Sequence, residues 1–114
     1  MCIVCQLNDQ GTELTLHIKG RFDFNLHQQF RAAIESIDAQ VEQYIVDLSE
    51  SDYMDSAALG MLLLLLEKAD NERGRVRIIN PNSTITKILE IANFHILFDI
   101  AVENTASLTS PPAD

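Results

Sequence analysis

The stretch Asp52-Tyr53-Met54-Asp55-Ser56-Ala57-Ala58-Leu59-Gly60, continued by Met61 and the five leucines Leu62 to Leu66, decides how the rest of the chain is read. Before it stands Tyr44-Ile45-Val46-Asp47-Leu48, a short run rich in β-branched residues. After it the apolar residues are too many and too long a run for a strand. A strand therefore hands over to a helix at this point, and Ser56 stands where the helix should begin. Serine is a favoured helix N-cap because its side-chain oxygen accepts from a free backbone N–H. The start of a helix also carries partial positive charge and suits an anion such as a phosphate. An exposed serine here is capping, accessible and electrostatically prepared for a phosphoryl group.

The helix is expected from about Ala57 to Asp70. Leu59, Leu62, Leu63 and Leu66 fall at i, i+3, i+4 and i+7 and read as a core stripe. Met61, Leu64 and Leu65 then lie off that stripe, where a surface helix would be polar. Either a neighbouring element covers them or they form an exposed apolar patch of the kind that marks an interaction site.

Working towards the N-terminus, Glu13 to Lys19 alternates cleanly, with Leu14, Leu16 and Ile18 facing in and His17 facing solvent. Cys2 to Leu7 alternates too, and Asn8 to Gly11 is a turn cluster, so the two segments read as an antiparallel hairpin. Gly20 to Phe24 reads as a connection. Asn25 with Gln28 resembles a capping box for a helix carrying Leu26, Phe30, Ala33, Ile34 and Ile37 at helical spacing. The poor alternation of Tyr44 to Leu48 predicts a strand buried on both faces. Asp47 near its end should reach a rim and accept N–H groups there.

Towards the C-terminus, Asn71 to Gly74 should end the long helix, and Arg75 to Ile79 makes a further strand. Asn80 to Ser83 is a turn and an N-cap for a helix carrying Ile85, Ile88, Leu89 and Ala92. Asn93 occupies the left-handed stop. Phe94 to Ile100 folds back on the core, and 105–114 reads as a frayed tail. The expected order is β-β-α-β-α-β-α: an α/β fold with a mixed four- to five-stranded sheet and helices mainly on one face. One domain over 1–104 suits 114 residues.

The composition narrows the partners. A net charge of −9 repels phosphate backbones and anionic lipid headgroups, which disfavours nucleic acid and membrane surfaces as partners. Nothing at the N-terminus reads as a signal peptide. Ala57 to Leu66, about ten residues, falls short of the roughly 20 needed to span a bilayer. A cytoplasmic protein is expected. Cys2 and Cys5 form a lone C-x-x-C inside a strand, where residues three apart point to opposite faces, so they read as ordinary packing or surface cysteines. His17, His27 and His95 are scattered, so no zinc set is evident. Asp47, Glu50, Asp52 and Asp55 could hold a divalent metal but read more simply as a solvated loop. No glycine-rich phosphate loop and no G-x-S-x-G surrounds a serine, and Ser56 has no neighbouring histidine to act as base. A non-enzyme without a cofactor is expected.

Asp47-Leu48-Ser49, a spacer and then Tyr53 to Gly60 resemble the signature of the STAS domain, most closely that of the bacterial anti-sigma factor antagonists. Gly20-Arg21-Phe22-Asp23 resembles the Gly-x-Leu-Asp turn of that family, and Ile85 to Phe98 resembles its closing helix and apolar turn; the similarity runs over about residues 3 to 100. The resemblance implies a regulatory module in a partner-switching pathway. Its phosphorylation site would be Ser56, modified by a serine kinase that is often itself the anti-sigma factor, and reversed by a metal-dependent serine phosphatase. Asp55 would be the motif neighbour of the phosphosite and Asp23 would lie on the adjacent loop. The unphosphorylated form would bind the partner, with Met61, Leu64 and Leu65 as its apolar contacts. The family usually has Ser or Thr and then Gly where this chain has Ala57 and Ala58, so a second hydroxyl is lost and the first helical turn is stiffer. The alternative is a STAS subunit of a lipid or anion transport complex, acting as an assembly part; a small nucleotide hydrolase is a third reading.

Overall fold

A computed structural model describes residues 3–37, 41–70 and 75–101. It contains β1 (Ile3–Leu7), β2 (Glu13–Phe22), a 3-10 turn (Phe24–Leu26), α1 (His27–Glu35), β3 (Gln43–Met54), α2 (Ser56–Lys68), β4 (Val76–Ile79), α3 (Ser83–Ile91), α4 (Phe94–Leu97) and β5 (Asp99–Ala101). Cys2, the helix stop at 71–74 and the tail at 105–114 lie outside the described residues.

The five strands form one sheet in the order β1-β2-β3-β4-β5. β1 and β2 are antiparallel, and the other neighbours are parallel. The hairpin closes on Asn8. Its Oδ1 accepts from the backbone N–H groups of Thr12 (2.9 Å) and Glu13 (3.1 Å), while Gly11 supplies the positive φ of 73°. Each parallel connection moves one strand along in the same direction. Because such crossovers are right-handed, the helices between them fall on the same side of the sheet.

That one-sided layer explains the alternation in the strands. Leu14, Leu16 and Ile18 of β2 are buried, as are Tyr44, Val46 and Leu48 of β3 and Val76 and Ile78 of β4. They meet Phe30 and Ile34 of α1, the buried face of α2, and Ile85 and Leu89 of α3. The expectation that β3 is buried on both faces is corrected: Ile45 and Asp47 alternate with the core residues and are only half-buried. Among the described residues no helix covers their side.

α2 also departs from its expected phase. Ala58, Met61, Leu62, Leu65 and Leu66 are its buried residues, again at i, i+3, i+4, i+7 and i+8, but one residue earlier than the stripe read from the sequence. Met61 and Leu65 are 1% and 0% exposed, while Leu63 is 41% exposed. A run of nearly all apolar residues has no polar face to fix its rotation. The junction with β3, where Met54 is buried, sets it instead. Fully burying each such leucine contributes about 1.5–3 kcal/mol.

At the far end, Asn82 caps α3 by accepting from the Ile85 N–H (2.8 Å). Asn93 takes the left-handed conformation expected of it, with φ 63°. The turn it makes brings Phe94 and Phe98 into the core, their ring centroids 5.4 Å apart.

Candidate functional site

The site is built where β3 ends and α2 begins. Both β2 and β3 continue further than the sequence suggests, and the register between them shifts twice, between His17 and Lys19 and between Gly20 and Arg21. Such irregularities bend a strand and re-aim its side chains. Gly20 takes φ 77° there, which glycine adopts at no steric cost, and the Gly20–Phe22 segment stays paired with β3 as strand rather than forming the expected connection. The extension pairs Arg21 with Tyr53 and Phe22 with Met54, which carries Asp23 up beside Asp55.

Asp55, not Ser56, is the N-cap of α2. Its Oδ1 accepts from the Ala58 N–H at 3.0 Å, in extended backbone with φ −112°. Ser56 is the first helical residue, and it is exposed. Two cap-competent residues stand side by side here, and the structure gives the cap to Asp55 rather than to the expected Ser56. Asp55 also ties two loops together. Its N–H donates to the Phe22 carbonyl (3.3 Å), and its Oδ2 accepts from the Phe24 N–H (3.4 Å). Asp23 caps the 3-10 turn in the same manner, accepting from the Asn25 N–H at 3.0 Å. The capping box expected at Asn25 is thereby replaced: the cap lies two residues earlier and serves a 3-10 turn ahead of α1.

The structure brings Asp23, Asp55 and Ser56 to one corner. Leu64 is half-buried and lines a shallow cleft of about 280 Å³ with Arg31, Ile34, Glu35, Glu67 and Lys68. Met61 and Leu65 are core residues and cannot touch a partner while the domain is folded, which corrects the expectation that they form an apolar docking face. Two aromatic residues for which the sequence suggests no contact role stand at the corner instead. Phe24 is 67% exposed and stacks on His27 (5.7 Å), and Tyr53 is 37% exposed. The Arg21 guanidinium sits 4.5 Å over the Tyr53 ring and reaches Asp23 Oδ2 at 3.3 Å. An apolar residue beside an aspartate in a supposed loop, as in Asp23-Phe24, was the available signal. The corner thus presents aromatic surface, one guanidinium held by its neighbours, and a serine hydroxyl at the positive end of a helix.

Asp47 and His17 belong elsewhere. Their Cα atoms are partners across β2 and β3, on the side away from the helices. His17 Nδ1 lies 2.9 Å from Asp47 Oδ2, and His17 Nε2 lies 2.7 Å from Gln6 Oε1. His17 is therefore engaged rather than simply solvated. Asp47 Oδ1 accepts from the Ser49 N–H at 3.0 Å, the N–H contact expected of it. Asp47 and Asp55 work in separate networks, so the acidic set suggested by the sequence is not one site. Among the described residues no group of three or more His, Cys, Asp or Glu is placed to hold a metal ion. No described helix is long and apolar enough to cross a membrane.

The family model described as "Mlab, STAS domain" matches residues 5–99. A STAS-domain containing protein of Pseudomonas aeruginosa (strain UCBPP-PA14) is 45% identical over 101 residues, covering 89% of this chain and 100% of that protein. Among solved structures, the chain is similar to the anti-sigma factor antagonist SpoIIAA in its unphosphorylated form (TM-score 0.69, 18% identity, 94% of this chain and 93% of that one). The phosphorylated form of SpoIIAA, from Bacillus, gives TM-score 0.68 at 20% identity over 94% and 97%. A sulfate transporter family protein of Wolinella succinogenes gives TM-score 0.69 at 16% identity over 84% and 80%. At these identities the structural likeness is one of fold.

Proposed function

The chain belongs to the STAS domain family, and from that premise we propose that it is an anti-sigma factor antagonist whose partner binding is switched by phosphorylation of Ser56. The observation that carries this reading is the exposed Ser56 at the first position of α2, beside the Asp23 loop. That SpoIIAA has been solved in both unphosphorylated and phosphorylated forms supports a phosphorylated state for this fold. The partners are then a serine kinase that acts as the anti-sigma factor and a metal-dependent serine phosphatase, in the cytoplasm.

The geometry of the corner supports a mechanism for such a switch. A partner docks on Phe24 and Tyr53 and covers the hydroxyl of Ser56. Phosphorylation adds about −1.5 to −2 charges and three acceptor oxygens at that spot. The free N–H groups and dipole of the α2 start tolerate the phosphate, so the fold survives. The docked partner would have to bury it close to Asp52, Asp55 and Asp23. A penalty of about 3 kcal/mol weakens binding roughly a hundredfold.

The test is capture of the anti-sigma partner by three proteins. The unmodified protein and Ser56→Ala should bind it, and Ser56→Asp should not. Equal capture by Ser56→Ala and Ser56→Asp would remove the switch. The likeness to a sulfate transporter family protein favours a second reading, in which the domain is an assembly part of a transport complex. There Ser56→Asp leaves stoichiometric association unchanged, and protein from its native cell carries no phosphate by intact-mass spectrometry.

A further inference from the structure

The outer edge of β1 has chemistry that none of the preceding argument uses. The Asn8 N–H donates across the hairpin to the Glu13 carbonyl at 2.9 Å. Backbone groups alternate sides along an antiparallel strand, so those of Gln6 and Val4 also point at β2, and those of Ile3, Cys5 and Leu7 point outward. Among the described residues nothing pairs with them. Native edges are usually blunted by charge, proline, a bulge or shortness. β5 is blunted over its described residues, Asp99–Ala101: it carries Asp99, which is ion-paired with Arg77 at 3.5 Å. β1 is not blunted. Its sequence Ile-Val-Cys-Gln-Leu has no charge and no proline, and its register with β2 is unbroken. Val4 is 44% exposed and Leu7 52%. Between this edge and the end of α1 lies a cleft of about 290 Å³ lined by Cys5, Leu7, Leu14, Ala33, Ile37 and Val41, with Ser36 at its rim.

We propose that β1 pairs antiparallel with β1 of a second copy of this chain, making a two-fold dimer with a continuous ten-stranded sheet. The strip is self-complementary. With Cys5 opposite Cys5 of the second copy, Ile3 falls opposite Leu7 and Leu7 opposite Ile3. The apolar residues of each copy extend the cleft of the other. The strip's lack of charge lets two copies, each carrying a net charge of −9, pair here without setting like charges opposite one another. The contrast with β5 closes the assembly at two, since the described residues of β5 offer no equivalent edge for further addition.

The test uses the full chain with Cys2→Ser, leaving Cys5 as its only thiol. Sedimentation equilibrium should show a monomer–dimer equilibrium that tightens as salt screens the repulsion. A short bismaleimide should trap the dimer through Cys5. Leu7→Lys should weaken the dimer at least tenfold and abolish the cross-link while leaving the thermal melt of the monomer unchanged, since Leu7 is exposed. A protein monomeric at every concentration and salt overturns the proposal, including one whose β1 binds only some other chain. So does a dimer that neither cross-links through Cys5 nor responds to Leu7→Lys.

Discussion

Exchanging single side chains at the start of α2 separates the residue that holds the helix from the residue that is exposed on it. Asp55→Ala removes the oxygen that accepts from the Ala58 N–H at 3.0 Å. Loss of an N-cap costs about 0.5–2 kcal/mol. The second bond, to the Phe24 N–H, is long at 3.4 Å and exposed, so it adds little. The expected loss is about 1–2 kcal/mol, or roughly 4–8 °C in Tm for a domain of this size. Asp55→Asn keeps an acceptor oxygen in place and should lose only a few tenths of a kcal/mol. Ser56→Ala removes a hydroxyl that caps nothing and puts the best helix former at a helical position, so it should stay within about 0.5 kcal/mol of the parent. Urea unfolding of the three variants, with a common slope, reads the differences as shifts in midpoint. A loss for Ser56→Ala as large as that for Asp55→Ala would refute the assignment of the cap and return it to the serine.

The rotation of α2 is tested by its leucines: Leu65→Ala should cost about 2–5 kcal/mol as a cavity in the core, and Leu63→Ala, at an exposed position, no more than about 0.5 kcal/mol. Comparable losses for the two in urea unfolding would mean that the buried face is misplaced. Cys5 is exposed as a residue, but its thiol sits against the cleft beneath α1, and that desolvation raises its pKa above the ordinary 9.0. The folded protein therefore holds this proton where the unfolded chain has released it. The associated stability is intact below 9.0 and is lost as pH rises through the raised value. In the Cys2→Ser background, the pH profile of iodoacetamide alkylation should have its midpoint above 9.0, and a midpoint at or below that value would count against the packing of Cys5.

Where polar and apolar residues alternate, the chain announces its own geometry. Leu14, Leu16 and Ile18 are core residues in both the sequence and the structure, and Asn93 stops α3 as its type suggests. The rotation of α2 was not legible because Ala57 to Leu66 is apolar almost throughout, so several faces satisfy the same spacing equally well. The neighbours Asp55 and Ser56 are both good caps, and only the backbone turn out of β3 chooses between them. His17 and Asp47 lie 30 residues apart; their meeting depends on the register of β2 against β3, which no local pattern encodes. The corner itself was half legible. Asp23, Asp55 and Ser56 do meet there, but its apolar contribution comes from Phe24 and Tyr53 and not from α2.

The strand order β1-β2-β3-β4-β5 has a consequence for how the molecule comes to be built. Each strand is laid beside the one made just before it, so none has to be threaded between two that are already joined. Each parallel pairing closes over one helix–strand unit rather than over the length of the chain, which limits the closure entropy that must be met before the pairing forms. A chain growing from its N-terminus can settle its hairpin first, then add each helix–strand unit to a finished border.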